Sequence, residues 1–234
     1  VCLQQIEELI ARDKNHPSVV MWCVANEPMP KNLSLAGLAG GGPTDPSEGV
    51  GKAMLDTMLA RARELDPTRL VTIVTVMGGP TSWMEQCVIC MNRYWGWYIL
   101  GGELDKARVN LEQELDGVWQ QFHKPIIVTE FGADTMAGMH GHPDVMWTEE
   151  YQAAYIRFHL EVAAARDYVA GMQVWNFADF AAVQSIARVG GLNMKGIFTR
   201  TRHPKKAADV LREFWVTKAD TTETAEPQPT GQAV

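Results

Sequence analysis

Two glutamates in this sequence stand where an apolar run breaks off. Residues 19–28 read VVMWCVANEP and deliver Glu27; residues 125–132 read PIIVTEFG and deliver Glu130. A parallel strand covered on both faces is near-continuously hydrophobic, so a carboxylate at its carboxyl end is either a satisfied structural group or a group that does chemistry. Taken singly, each glutamate reads as readily as a partner for loop amides. Taken together they supply what glycoside hydrolysis needs: one carboxyl attacks the anomeric carbon, and the other protonates the leaving oxygen and then activates water. A separation of about 5 to 5.5 Å gives retention of configuration, about 6.5 to 9.5 Å inversion. The acid must hold its proton while the nucleophile stays ionised, so their surroundings must differ; the charge on one also disfavours ionisation of the other.

The elements that carry these residues alternate. Residues 1–14 place Leu3, Ile6, Leu9 and Ile10 on one helical face, and NHPS turns the chain into the first strand. Residues 29–49 are rich in Gly and Pro without periodicity, the mark of a functional lid or a disordered insertion. A helix over 50–65, with Met54, Met58, Leu59, Ala62 and Leu65 near one face, leads through a DPT turn to a second strand at 70–76. Ten residues separate it from a third strand at 87–92, near the minimum for a parallel crossover, so this connection is expected to be irregular. The aromatic run RYWGWY follows, then a helix over 104–123 and the strand that ends at Glu130. Thr148 is placed to cap the next helix, with Glu149 and Glu150 in its first turn. A fifth strand over 169–177 ends in Trp175 and Asn176. After it come a loop holding RVGGLNMK (188–195) and a last helix over about 204–215.

Buried strands alternating with helices, and every unusual residue just after a strand, describe parallel β/α units with their site at the strands' carboxyl ends. A TIM (β/α)8 barrel is the expected fold class, here its last five units. Glu27 and Glu130 are 130 − 27 = 103 residues apart, three units at about 31 residues per unit, so they would face each other across the barrel mouth. Residues 1–216 are expected to be the partial barrel, without its first three strands, and 217–234 a polar, disordered tail.

Composition narrows the partners. With 234 residues, 46% hydrophobic, the chain can bury a sizeable core, and its net charge of −7 speaks against nucleic acid or an anionic membrane as main partner. No apolar run reaches the roughly 18 to 20 residues of a membrane span, and no signal peptide opens the chain, so it reads as soluble. It starts at Val1 inside an amphipathic helix, which suggests a missing N-terminal part. Four cysteines are too few for a disulfide scaffold, and the pair Cys87 and Cys90 lies in a strand pattern without a second pair to complete a zinc site.

The segments ARDKNHPSVVMWCVANEP, CMNRYWGWY, PIIVTEFGADTMAG, QVWNFADF and RVGGLNMKGIFTR together resemble the β-glucuronidases of glycoside hydrolase family 2. That resemblance implies Glu27 as acid/base and Glu130 as nucleophile, with Asn26 bonding the sugar's 2-hydroxyl. It further implies sugar-subsite roles for Asn92, Tyr94, Tyr98 and Trp175, with Tyr94 near the nucleophile, whereas Trp95 and Trp97 read as packing. Asn193 and Lys195 look like the Asn-x-Lys unit that holds a C6 carboxylate, and Arg188 like a further residue of that corner. No metal or organic cofactor is needed, since two carboxylates and water suffice. The substrate implied is a β-glucuronide, the assembly a homotetramer, and the compartment the cytoplasm if the protein is bacterial-like.

The sequence also departs from the pattern. Leu192 lengthens the Gly-Gly-Asn spacing by one, the stretch between the second and third strands is short, and the loop over 29–49 is long. The family's N-terminal β-domains are absent from the sequence, so the segment alone is expected to be poorly soluble or inactive. The alternatives are a family-2 hydrolase for another hexuronate or a neutral hexose, and a non-catalytic carbohydrate-binding remnant.

Overall fold

A computed structural model describes residues 1–28, 50–77 and 82–223. The loop over 29–49 and the end of the expected tail lie outside them. The chain divides into two compact units, Val1–Gly132 with Glu161–Asn176, and Ala133–Leu160 with Phe177–Val234.

The first unit is built on a five-stranded sheet. Strands β1 (Met21–Asn26), β2 (Leu70–Thr75), β3 (Val88–Asn92), β4 (Ile126–Phe131) and β5 (Val169–Val174) pair in chain order, every pair parallel. Sequential parallel order is the pairing of consecutive β/α barrel units, and the strand count matches the sequence reading. Helices α1 (Cys2–Asp13), α2 (Val50–Leu65) and α3 (Leu104–Phe122) come between or before the strands. No helix is found among the described residues between β2 and β3: residues 82–86 are turns whose Trp83 and Met84 are buried, as the short spacing requires.

One face of the sheet packs on α1 and α2. Ile6 and Ile10 stand one turn apart on α1, and Met58, Leu59 and Ala62 form a stripe on α2. They meet Trp22 of β1, Val71 and Ile73 of β2, and Trp83 and Cys87. Period-3.6 and period-2 patterns thus converge on one core. Leu9 and Met54, counted on those faces from the sequence, are exposed instead, because each lies at the margin of its stripe.

The DPT turn after α2 is an electrostatic knot. Asp66 is buried and accepts from the Thr68 amide (3.0 Å), the Trp22 indole (3.0 Å) and the Arg69 guanidinium (2.7 Å). Arg69 also donates to the carbonyls of Val19 and His16, so the end of α2 is tied to the entry of β1. The Thr68 hydroxyl, then the Trp22 indole, hold the Asp66 carboxyl well below the usual carboxylate range.

Three of the sheet's ladder irregularities lie near the carboxyl ends of the strands. Register shifts fall between Cys23 and Ala25, between Met91 and Asn92, and between Val128 and Phe131. Such bulges turn the chain and re-aim the side chains that follow. Here those side chains are Asn26, Glu27, Asn92 and Glu130.

In the second unit, the short strands β6 (Phe180–Ala181) and β7 (Leu192–Asn193) pair antiparallel around a loop that ends in a single 3-10 turn. Helix α4 (Glu149–Ala164) starts in this unit, and α5 (Lys206–Glu223) closes it. Thr148 caps α4 as expected, its hydroxyl oxygen accepting the Tyr151 amide at 3.2 Å. α5 runs to Glu223, past the expected stop near 215. Thr217 lies inside it, its hydroxyl donating back to the Glu213 carbonyl one turn earlier at 2.9 Å. None of the described helices is long and apolar enough to cross a membrane. All four cysteines are free thiols, and burial pushes Cys90 up to about 11.

Glu149 and Glu150 do more than complement the α4 dipole. Glu149 accepts from the amides of Gly138 and Lys206, both at 2.7 Å, and Glu150 meets His140 at 2.9 Å and the Lys206 ammonium at 3.0 Å. The His140 and Lys206 contacts hold the Glu150 carboxyl down to about 2. A folded-state value below the ordinary one stabilises the fold fully above the usual carboxylate range, and that contribution fades as pH falls toward 2. Thermal melts between about pH 5 and pH 2.5 should therefore show a shallower loss of Tm in Glu150→Gln than in the parent. Parallel acid limbs would show that the clasp contributes nothing.

Candidate active site

Within the first unit, the asparagine that ends β3 joins the two strand ends that carry glutamates. The buried Asn92 side-chain amide donates to the Asn26 carboxamide oxygen at 3.1 Å and to Glu27 Oε1 at 2.9 Å. Its own oxygen accepts from the Thr129 hydroxyl of β4 at 2.8 Å, one residue before Glu130. Asn92 sits opposite Glu130 in the β3–β4 register, and Asn26 pairs with Val74 on β2. The Asn92 side chain therefore reaches past β2 to β1, which it does at the strands' carboxyl ends, where a curving sheet brings non-neighbouring strands together.

Glu27 adopts a left-handed backbone, with φ of 48°. For a residue with a Cβ this conformation costs about 1–2 kcal/mol, and such positions cluster at functional sites. Its amide is held by the Val74 carbonyl at 3.0 Å, so the turn is fixed at the point where the side chain leaves the strand. Glu130 is half-buried, and Tyr94 donates its hydroxyl to Glu130 Oε2 at 2.6 Å, a charge-assisted contact of the short kind.

Tyr94 is positioned from behind. Arg93, almost fully buried, gives its amide to the Glu130 carbonyl at 2.8 Å and its guanidinium to Glu114 of α3 (2.7 Å) and to the carbonyls of Asn92 (2.8 Å) and Thr75 (3.2 Å). The second Glu114 oxygen takes the Trp95 indole at 2.7 Å. One helix carboxylate thus fixes both neighbours of Tyr94. Trp97 is buried, while Tyr98 is exposed and stands edge-on to the Tyr94 ring at 5.0 Å. Gly96 has φ of 88°, which lets the aromatic loop turn back so that its amide reaches the Ile99 carbonyl. Trp175 follows β5, its amide bound to the Phe131 carbonyl at 2.8 Å, and is joined to Asn176 by a cis peptide bond.

The remaining candidates meet in the second unit around a residue the sequence reading assigned no role. Asp134 is fully buried, and its carboxylate accepts from the Met194 amide (2.8 Å), from the Lys195 ammonium, and from Arg188 (3.4 Å). Lys195 is itself buried, and its amide is held by the Asn193 side chain at 3.2 Å. Leu192, the extra residue in the Gly-Gly-Asn spacing, pairs with Ala181 and so extends β7 by one position before Asn193.

The structure thus brings Asn26, Glu27, Asn92, Tyr94 and Glu130 into one bonded set, with Tyr98 against Tyr94 and Trp175 at the end of the strand beside Glu130. Arg188, Asn193 and Lys195 form a second set around Asp134. Sequence reasoning missed Asp134, Glu114, Arg93 and Thr129. Asp134 and Thr129 lie within the same strand-end segment as Glu130, and a polar residue so close to a buried run was the available signal. Glu114 gave none, being one acid among several on a helix. Among the described residues, no group of three or more His, Cys, Asp and Glu side chains could hold a metal ion.

Residues 1–219 match the family model for the TIM barrel domain of glycosyl hydrolases family 2. A β-glucuronidase from Paenibacillus borealis is 44% identical over 214 residues, covering 90% of this chain and 33% of that relative. The solved β-D-glucuronidase of Dictyoglomus thermophilum superposes with a TM-score of 0.78 at 41% identity, over 92% of this chain and 35% of that one. A Bifidobacterium dentium β-glucuronidase, solved in complex with coumarin-3-O-glucuronide, gives 0.76 at 40% identity over 92% and 33%. The chain spans about a third of the length of the curated relatives it matches.

Removing Glu114 leaves the Arg93 guanidinium buried with carbonyl partners alone. Glu114→Ala should destabilise the fold by about 3 kcal/mol, read as a lower urea midpoint at unchanged slope. A change under about 0.5 kcal/mol would mean that the pair does not anchor the aromatic loop.

Proposed function

The chain belongs to glycosyl hydrolase family 2, in its TIM barrel domain, and from that premise we propose that it carries the catalytic carboxylates of a retaining β-glucuronidase. The reaction releases D-glucuronate from β-D-glucuronides. The observation that carries the proposal is the Asn92 side chain, which binds Asn26 and Glu27 on one strand end while Thr129 holds it beside Glu130.

The two-step chemistry follows from those positions. Glu130 attacks the anomeric carbon while Glu27 gives its proton to the leaving glycosidic oxygen, forming a glycosyl ester on Glu130 and a free aglycone alcohol. Glu27, now a carboxylate, takes a proton from water; the water oxygen attacks the same carbon and displaces Glu130, so two inversions give net retention. Tyr94 engages one oxygen of Glu130, which orients the other for attack. Asn26 bonds the sugar's 2-hydroxyl, an interaction that strengthens as the oxocarbenium-like transition state forms. Tyr98 and Trp175 line the sugar subsite.

Arg188, Asn193 and Lys195 are the selector for the C6 carboxylate. Lys195 and Arg188 both meet the buried carboxylate of Asp134, so two positive charges share one negative charge and one is left in excess. At about 4 Å and an effective dielectric near 20 a carboxylate gains roughly 4 kcal/mol from such a cation before desolvation. The names of the relatives, and the glucuronide bound to the Bifidobacterium enzyme, support a uronide over a neutral sugar. The working form is a homo-oligomer of the natural full-length protein. Among the described residues β1 and β5 are each paired on one side, and open parallel edges invite aggregation, so the reading includes a chain that is poorly soluble or inactive by itself.

The test is hydrolysis of a chromogenic β-D-glucuronide by the natural full-length protein, beside the matching β-galactoside. Glu130→Ala should lower kcat at least about 10³-fold. Lys195→Ala should lower kcat/KM on the glucuronide by roughly 10- to 100-fold, the worth of a charged hydrogen bond, and on the galactoside much less. Equal losses on both sugars would remove the case for carboxylate reading. No turnover of either sugar by a folded full-length protein would favour a carbohydrate-binding remnant, and turnover by a clear, monomeric sample of this chain would overturn its dependence on the rest.

A further inference from the structure

The Asn193-x-Lys195 unit is held by a buried ion pair to which neither the resemblance nor the proposed chemistry gives a role. Lys205, at the foot of α5, is 2% exposed. Its ammonium has three protons to donate, and three acceptors surround it: the Thr135 carbonyl at 2.8 Å, the Met194 carbonyl at 2.9 Å and Asp179 Oδ1 at 2.9 Å. Met194 is the middle residue of the unit. Its amide is taken by Asp134, and its carbonyl also accepts the Thr135 amide at 3.0 Å, so both of its backbone polar groups are fixed.

Asp179 and Gln152 together fix the next residues. Asp179 Oδ1 accepts the Gly196 amide at 3.0 Å, and Gln152 donates to the carbonyls of Lys195 (3.3 Å) and Gly196 (3.2 Å). A Cβ at Gly196 would collide with the backbone of Ala178, Asp179 and Phe198, so only glycine lets this segment pass so close to Asp179. Burial pushes Asp179 up and Lys205 down, and each is opposed by the other's charge, as expected of a pair withdrawn from water.

We propose that Lys205 and Asp179 are positioning residues for substrate specificity: their ion pair clamps Met194 and Gly196, and thereby sets where Asn193 and Lys195 present their groups to a substrate carboxylate. A surface lysine could stabilise the fold equally well. A buried ammonium bonded to the middle residue of the recognition unit couples fold and specificity. The inference rests on the selector reading above, and the controls separate the two.

The experiment uses the natural full-length protein with a chromogenic β-D-glucuronide and its C6 methyl ester, which keeps the ring and loses the charge. Lys205→Gln should raise KM for the acid about tenfold, the equivalent of one net hydrogen bond, with a much smaller fall in kcat, and the preference for acid over ester should shrink by the same factor. Asp179→Asn keeps an acceptor for Gly196 and should act in the same direction by about threefold. A lowered Tm with an unchanged acid-to-ester ratio would make the pair merely structural and overturn the proposal. If Lys205→Gln does not fold, Asp179→Asn decides by the same ratio, and failure of both to fold also counts against positioning. Lys195→Ala is the control. If it changes the ratio and the Lys205 and Asp179 variants do not, the positioning inference alone fails; if it leaves the ratio intact, the selector reading fails and takes this inference with it.

Discussion

The geometry of the candidate site depends on a single buried carboxamide. Asn92 satisfies its amide with Asn26 and Glu27 and its oxygen with Thr129, so the carboxyl ends of β1, β3 and β4 are held to one another by side chains beyond the last ladder bonds. A carboxamide suits this position because it both donates and accepts without adding charge between two glutamates. The ladder bulges beside these residues, and the left-handed backbone of Glu27, are the local distortions that let the three strand ends converge. Their cost is of the kind that a well-determined surrounding structure tolerates.

Around that carboxamide the chain repeats one device. Asp66 with Arg69, Arg93 with Glu114, Asp134 with Lys195, and Asp179 with Lys205 each place an ion pair at the end of an element or in the connection after it, where backbone amides and carbonyls lack ladder partners. Charges withdrawn from water are tolerated when every donor and acceptor is matched, and the matching groups here are largely loop backbone. The pairs therefore act as fasteners for loops. They tie down the backbone of the aromatic segment after β3 and of the Asn-x-Lys segment.

What the sequence disclosed follows the range of the interaction. The five strands, the α4 cap and the irregular connection before β3 rest on neighbours within a few residues, and periodicity or spacing reads them directly. Glu27 and Glu130 were legible because each interrupts an apolar run, although the run before Glu27, expected to be a buried strand, is buried in β1 only at Trp22. The partners that fix them were not: Glu114 lies 21 residues from Arg93, Asp134 lies 61 from Lys195, and Lys205 lies 70 from Thr135. No local pattern marks an acid or a lysine as the counterpart of a group so far along the chain. The extent of α5 was misread because composition was weighed over helical continuity: the polar, threonine-rich run from Thr217 suggested a tail, whereas the helix runs to Glu223.

In the proposed reaction Glu130 forms a covalent bond to the sugar, and that bond can be trapped. A 2-deoxy-2-fluoro-β-D-glucuronyl fluoride has a good leaving group, while its fluorine destabilises the oxocarbenium-like transition state for release, so a retaining enzyme accumulates the glycosyl ester. Mass spectrometry of the natural full-length protein, after peptic digestion, should show one added sugar on the peptide containing Glu130 and none in a Glu130→Ala variant. An adduct on another carboxylate, or turnover of an ordinary glucuronide to the inverted anomer with no adduct, would contradict the account.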